Sequence, residues 1–224
     1  MTDDSIWILI PAFNEGRALR EVCEGVSRNC KNIVVVNDGS DDDTGRIAGR
    51  TGCVVLNHDR NRGKGAALKT GFRWLLERDC SAVLTLDADG QHDPSEIPKF
   101  LEFFEKNRPE GIIIGTRSIE REKMPHYRAI PNRIGELFIS LAARRHIVDT
   151  QSGFRLYSRG VIEKIRCTSD GFDMEAEILI KSSREGFELF SLPIRTIYQE
   201  GYTSHFRPVR DFYKISKVVL KNLI

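Results

Sequence analysis

The run Ile33-Val34-Val35-Val36 is β-branched and apolar at every position, with no polar face. A strand that buries both faces belongs inside a sheet covered by helices on each side, which is the setting of a parallel sheet. Ile6-Trp7-Ile8-Leu9-Ile10, closed by Pro11, repeats the pattern, as do the stretches 53–56, 82–86 and 111–115. Segments with helical spacing separate these strands: 15–28, 41–50, 65–78 and one starting near Pro94. This alternation predicts an α/β chain with an open, mostly parallel sheet of βαβ units.

The second half changes character. Residues 118–133 are basic, carry Pro125 and Pro131, and read as a loop. Helical spacing returns over 134–146, 172–184 and 211–224, with strand-like runs at 154–157 and 187–197, the latter interrupted by Pro193. No linker composition divides the chain, so its 224 residues are expected to form one domain.

Composition narrows the function classes. Hydrophobic residues make up 40% and charged residues 29%, as in an ordinary soluble core. A net charge of +2 gives no global argument for nucleic acid. The five cysteines are dispersed, with no C-x-x-C spacing, which argues against a disulfide framework or a zinc site and for reduced thiols in the cytoplasm. No apolar run reaches the length of about 18 residues that spans a bilayer. The acidic start, Met1-Thr2-Asp3-Asp4, is unlike a signal peptide.

In open α/β sheets, ligands bind beyond the carboxyl ends of the strands. Four strand ends here carry polar, chemistry-bearing residues: Pro11-Ala12-Phe13-Asn14-Glu15, Asn37-Asp38-Gly39-Ser40, Asp87-Ala88-Asp89-Gly90-Gln91 and Gly115-Thr116-Arg117. Each is also good turn chemistry, but four at one edge read as a site. Asp87 and Asp89 at the end of a buried strand suit a hard divalent cation that shares its oxygen ligands with a substrate diphosphate, and Gln91 can complete an open site. A calcium loop is excluded, because its twelfth position would be Pro98 where a bidentate Glu is required. His92 reads as a neighbour rather than a ligand.

Asp38 is positioned to accept from the ring N–H of uracil or guanine, with an N-cap or turn role as the alternative. Asn61-Arg62-Gly63-Lys64-Gly65 opens a helix, where backbone N–H groups and the Lys64 charge favour an anion; it is neither a Walker loop nor a dinucleotide fingerprint. Arg117, Arg121, Lys123, Arg128 and Arg133 form one basic set, and His205, Arg207 and Arg210 a second, which suits a phosphorylated acceptor. Lys214, Lys217 and Lys221 alternate with apolar residues in the terminal helix, a pattern fit for anionic lipid or for packing on protein.

These motifs, with Asp43-Thr44, Pro94 and Asp149-Thr150-Gln151-Ser152-Gly153-Phe154-Arg155, resemble the family 2 glycosyltransferases of GT-A fold. The resemblance is strongest to the dolichyl-phosphate mannose synthase group and its bacterial polyprenyl-phosphate relatives, and it covers nearly the whole chain. It implies inverting transfer of a hexose from a nucleotide diphosphate sugar, of GDP-mannose or UDP-glucose type, to polyprenyl phosphate. The half 1–117 would hold donor and metal, and the half 118–224 the acceptor. Pro11, Ala12, Asn14, Glu15, Asp38, Lys64 and Asp87 would line the donor site, and Asp87, Asp89 and Gln91 would hold Mg²⁺ or Mn²⁺. Arg117, Arg133, Ser204 and Arg207 would meet acceptor phosphate, with Asp89, Asp149 and Arg117 catalytic. The protein would be cytoplasmic, with peripheral contact at the membrane and no nucleic-acid partner.

Acceptor chemistry separates two transferase readings. A phosphate monoester, with a second pKa of about 6, is mostly dianionic at neutral pH and needs little help from a base. A sugar hydroxyl needs a general base, for which Asp149, Asp173 and Glu175 are candidates. A non-catalytic nucleotide-binding module is the third reading, and it would fit a chain with missing ligands. A nucleotidyltransferase is disfavoured, since Pro11-Ala12-Phe13-Asn14-Glu15 replaces a Gly-rich loop after the first strand.

Overall fold

The computed structural model describes residues 5–117, 126–197 and 208–223, with backbone alone over 126–133, 208–212 and at 223. Seven strands form one sheet: β1 (Ile6–Ala12), β2 (Ile33–Asn37), β3 (Val54–Asn57), β4 (Ala82–Thr85), β5 (Gly111–Thr116), β6 (Arg155–Ser158) and β7 (Glu188–Pro193). Their order is β3-β2-β1-β4-β6-β5-β7. Only β6 runs antiparallel; it lies between β4 and β5 and pairs with both. The second half of the chain therefore threads into the sheet begun by the first.

The continuous apolar runs bury both faces, as a parallel sheet requires. In β1, Leu9 faces one hydrophobic cluster, while Ile6, Ile8 and Ile10 face the other. In β2, Val34 and Val36 part from Ile33 and Val35 in the same way. Each such side chain gains roughly 1.5–3 kcal/mol on burial, so the period of two fixes the register firmly. Pro11 does not close β1 as expected. Ile8 N–H bonds to the β2 side, at Asn32 O, whereas Leu9 O accepts from Leu86 on the β4 side. Pro11 shares the orientation of Leu9, and β4 pairing ends at Leu9 opposite Thr85. Its missing N–H therefore falls beyond the ladder, where it costs no hydrogen bond.

On one face lie α1 (Leu19–Ser27), the short α2 (Thr44–Ala48) and α4 (Ile97–Asn107). α1 buries Leu19, Val22, Cys23 and Val26, and α4 buries Ile97, Phe100, Leu101 and Phe104. Both sets follow the i, i+3, i+4, i+7 spacing of a single helix face. A 3₁₀ turn, Pro94–Glu96, precedes α4, with Asp93 accepting from Ser95 N as its cap. On the other face lie α3 (Lys64–Leu76), α5 (His126–Ala143), α6 (Arg159–Lys164), α7 (Asp173–Arg184) and α8 (Pro208–Leu223).

The loop expected over 118–133 is corrected in part. Residues 126–133 are already helical within α5, and 118–125 lie outside the described residues. Pro131 misled that reading: it falls in the second turn, where it removes one intrahelical bond and leaves the rest of the helix to packing. α6 has no counterpart in the sequence reading. The apolar side of α8 is covered by protein, with Val218 and Val219 buried and Ile215 packed against the same core. All five cysteines are free thiols.

α3 seats on β1 through Gly71, where a Cβ would fall 2.3 Å from Leu9 Cδ1. Gly71→Val should therefore overpack this contact and lower stability by about 1–3 kcal/mol in urea denaturation. An unchanged midpoint would mean that α3 does not rest on Leu9.

Candidate active site

The order β3-β2-β1-β4 reverses direction of winding between β1 and β4, and ligands of open α/β sheets bind at such a switch point. The turns after β1 and β2 build one wall there. Asn14, with φ of 54°, donates its N–H to Ser40 Oγ and accepts from Asp41 N through Oδ1. Glu15 N donates to Thr44 Oγ1, and Gly16 N to Asp42 Oδ2. Burial works against ionisation of Asp42, but hydrogen bonds from Thr44 and Gly16 outweigh it and hold its carboxyl below the usual range. Pro11 and Ala12 form the buried end of β1 beneath this turn.

Asp38 lies at the turn that follows β2. It is 2% exposed. Its carboxylate accepts from His58 Nδ1 (2.6 Å), Arg62 N (3.0 Å) and Gly63 N (2.7 Å). Three donors from the protein thus occupy most, but not all, of the lone pairs that a carboxylate offers. Asp38 fastens the loop 58–63 against the turn after β2. Gly39, at φ of 66°, lets the loop approach, since a Cβ there would fall 2.2 Å from the Arg60 carbonyl carbon. His58 was missed by sequence reasoning; it lies twenty positions from Asp38, and no local pattern links the two.

The centre of the site is a three-element ion cluster. Lys64, at the start of α3, places its Nζ 2.6 Å from Asp87 Oδ1 and 2.9 Å from Glu175 Oε2. Asp87 follows β4, and Glu175 lies in the first turn of α7. Burial opposes the Lys64 charge, but the two carboxylates outweigh it and raise its pKa. Burial likewise works against the Asp87 carboxylate, and the Lys64 ammonium reverses the effect, holding its pKa below the usual range. Gly153 makes room for the pair: a Cβ there would fall 2.8 Å from both Asp87 Oδ2 and Lys64 Nζ. Glu175 was considered only as a base; its role as the second partner of Lys64 requires α7 to pack on α3, which no local spacing reports.

Asp87 N donates to His92 Nδ1 at 3.0 Å, so that nitrogen is unprotonated and the imidazole is neutral. Burial pushes the His92 pKa down to about 4, and the nearby charges of Asp87, Lys64, Arg117 and Asp149 all act on it. Those four groups thus share one neighbourhood, with His92 as its buried floor against Phe154. Asp89 accepts from Gln91 N through Oδ1, which shapes the turn after β4. Among the described residues, no three His, Cys, Asp or Glu side chains gather as a ready cation cage. Two carboxylates and an amide fit a cation that takes its remaining ligands from water and substrate phosphate.

Asp149 is 2% exposed, at φ of 54°, and forms a bidentate pair with Arg117: Nε to Oδ2 at 2.9 Å and NH2 to Oδ1 at 2.6 Å. Arg117 N also donates to Oδ2. The structure therefore shows Asp149 holding Arg117 through both its backbone N–H and its guanidinium. Asp149 N donates to Glu136 Oε2, which ties α5 to this edge. Arg155, fully buried, donates to Thr150 O and Glu175 O and braces the loop between α5 and β6. Arg133 lies in α5 with its side chain outside the described residues, as Ser204 and Arg207 are in full.

The loop before α7 is held by Glu177, which accepts from Thr168 N (3.0 Å), Ser169 N (2.9 Å) and Lys181 Nζ (2.6 Å). Next in the chain, Asp170 O accepts from Ala66 N at the start of α3. Burial opposes the Glu177 charge, and these donors overcome it, lowering its pKa from 4.5 to about 2. Its stabilisation is thus complete above about pH 4.5 and lost as pH falls towards 2. Glu177→Gln should cost on the order of 3 kcal/mol at pH 7, and the gap from the parent should close across that window. Urea denaturation at stepped pH measures it, and a pH-independent gap would refute it.

The sequence model described as Glycosyl transferase family 2 matches residues 7–166, well over half of the chain. An uncharacterized protein of Methanocaldococcus jannaschii is 36% identical, over 95% of this chain and 89% of its own length. A UDP-N-acetylglucosamine–dolichyl-phosphate N-acetylglucosaminyltransferase of Methanococcus voltae is 28% identical, over 89% of this chain and 88% of its own. Among solved structures, glucosyl-3-phosphoglycerate synthase from Mycobacterium tuberculosis, crystallised with Mn²⁺, UDP and glucosyl-3-phosphoglycerate, superposes with a TM-score of 0.73. That match covers 98% of this chain and 80% of the other at 16% identity, a likeness of fold. The chain belongs to glycosyl transferase family 2 and is an α/β glycosyltransferase of GT-A fold.

Proposed function

We propose that the protein transfers a hexose, with inversion, from a nucleoside diphosphate sugar to a polyprenyl phosphate. The observation that carries the acceptor class is that two of its candidate bases are ion-paired, Asp149 to Arg117 and Glu175 to Lys64. An acceptor that arrives as a phosphate dianion needs no base to become a nucleophile. The curated relatives support the same class, because the Methanococcus voltae protein is named for dolichyl phosphate. The donor base and the sugar are not part of this reading.

Pro11, Ala12, Asn14 and Glu15 would form the nucleoside wall, with the loop that Asp38 fastens as its opposite side. Lys64 would meet the diphosphate at the start of α3, where the positive end of the helix dipole adds to its charge. Asp87, Asp89 and Gln91 would hold Mg²⁺ or Mn²⁺, which when bound draws charge off the departing diphosphate. Arg117, kept in place by the buried Asp149, would orient the acceptor phosphate together with Arg133, Ser204 and Arg207.

α5 supports a membrane-borne acceptor. Ile134, Leu137, Phe138 and Leu141 recur at i, i+3, i+4 and i+7 and are 42–59% exposed. Leu220 and Tyr213 on the adjoining α8 are exposed too. Arg144 and Arg145 follow this stripe and line a cleft of about 450 Å³ with Arg184. Apolar residues bordered by arginines suit the surface of an anionic bilayer. Among the described residues, no helix is long and apolar enough to cross one. We read the protein as docking peripherally on the cytoplasmic face through α5.

A second reading, transfer to a sugar hydroxyl, draws on Asp173, whose buried Oδ1 has no hydrogen-bond partner among the described residues. One experiment separates the two. Thermal shift with UDP- and GDP-sugars should reveal a Mn²⁺-dependent stabilisation by one nucleotide, since a bound donor stabilises by mass action. That donor should then label polyprenyl phosphate. Labelling of glycan acceptors alone, lost in Asp173→Asn, would favour the second reading, and turnover of neither would sink both. In vesicle flotation, Leu137→Asp with Phe138→Asp should lower binding to anionic vesicles at least about tenfold, as loss of two buried apolar side chains requires. Unchanged flotation would remove α5 from the membrane contact.

A further inference from the structure

Lys64 stands beside Asp87 where a bound cation would seek its ligand. Its ammonium is shared by anions from two elements, Asp87 Oδ1 at 2.6 Å and Glu175 Oε2 at 2.9 Å, and its side chain is 13% exposed. The pair rests against the backbone of Gly153, where even a methyl group would collide with both partners. A divalent ion approaching Asp87 therefore meets a positive charge already in contact with its ligand.

We propose that Lys64 is an internal competitor for the metal and makes cation binding conditional on the donor nucleotide. Without nucleotide, the ammonium holds Asp87 and keeps the cation out. When a nucleoside diphosphate enters, its negative charge accommodates both positive groups, and Lys64 leaves Asp87 while remaining on Glu175. Glu175 matters in that exchange, because a buried ammonium left without an anion would carry a heavy desolvation cost. The coupling is reciprocal: the nucleotide tightens the metal, and the metal tightens the nucleotide by the same factor. The inference rests on Asp87, Asp89 and Gln91 being the metal ligands, as proposed above.

The test follows free Mn²⁺ by electron paramagnetic resonance, with no sugar transfer involved. The parent protein should bind Mn²⁺ weakly alone and much more tightly with UDP or GDP. Lys64→Met should tighten Mn²⁺ binding without nucleotide about tenfold, as expected if the ammonium occupies Asp87 about nine-tenths of the time. The tightening caused by nucleotide should shrink correspondingly. Lys64→Arg keeps the charge and should retain conditional binding. Lys69→Met removes a lysine paired with Asp170 further along α3, and should change Mn²⁺ affinity less than about twofold.

Glu175→Gln supplies an independent arm should Lys64→Met not fold. With its second anion gone, the ammonium stays on Asp87, so Mn²⁺ binding in the presence of nucleotide should weaken at least about fivefold. Unchanged Mn²⁺ affinity in Lys64→Met, or an equal gain in Lys69→Met, would overturn the competition while leaving the metal site intact. A parent protein that takes up no Mn²⁺ even with nucleotide would overturn the metal assignment and this inference with it.

Discussion

The ion cluster of Lys64, Asp87 and Glu175 joins three elements that are far apart in sequence, and the architecture of the active edge depends on it. Each group alone would be a poor occupant of that position, because a partly desolvated charge without a partner is expensive. Together they hold the start of α3 against the end of β4 and the first turn of α7. Gly153 lets the loop into β6 pass close to the pair, since a Cβ there would fall 2.8 Å from Asp87 Oδ2 and Lys64 Nζ. The Asp149–Arg117 pair applies the same logic at the outer end of the sheet, where it fixes a guanidinium beside the exit of β5.

The sheet explains why these charges converge. β1, β2, β4 and β5 all point their carboxyl ends to one edge, and β6 enters antiparallel between β4 and β5. That insertion brings the 149–153 loop to the same edge, although it precedes its strand rather than following it. Buried Arg155, reaching Thr150 and Glu175 backbone oxygens, ties the loop to α7. Strand ends from the first half of the chain are thereby joined at this edge by residues of the second.

The polar groups fall into two kinds. Asp38, Asp42, Asp149 and Glu177 accept from backbone N–H groups and act on the shape of loops. Asp87, Lys64 and Arg117 instead pair with side chains of opposite charge and are only partly buried. Acidic residues in motifs of similar appearance thus do different work, and burial with hydrogen bonding to the main chain is what separates them.

Much was legible from local pattern alone. The unbroken apolar runs marked five of the strands, and the burial of β1, β2, β4 and β5 follows from them, whereas the edge strand β3 stays partly exposed. The polar strand ends fall at one edge of the sheet, and helical spacing marked segments that contain α1 and α4. Pairing was not legible. Whether Asp38 meets a base or His58, whether Asp149 acts as a base or holds Arg117, and where Lys64 finds its second carboxylate all depend on groups many positions away. The place of β6 and the helical start of α5 at His126 were hidden for the same reason. Local sequence sets conformational preference, whereas the partner of a buried charge is chosen by whichever opposite charge the packed elements bring within reach.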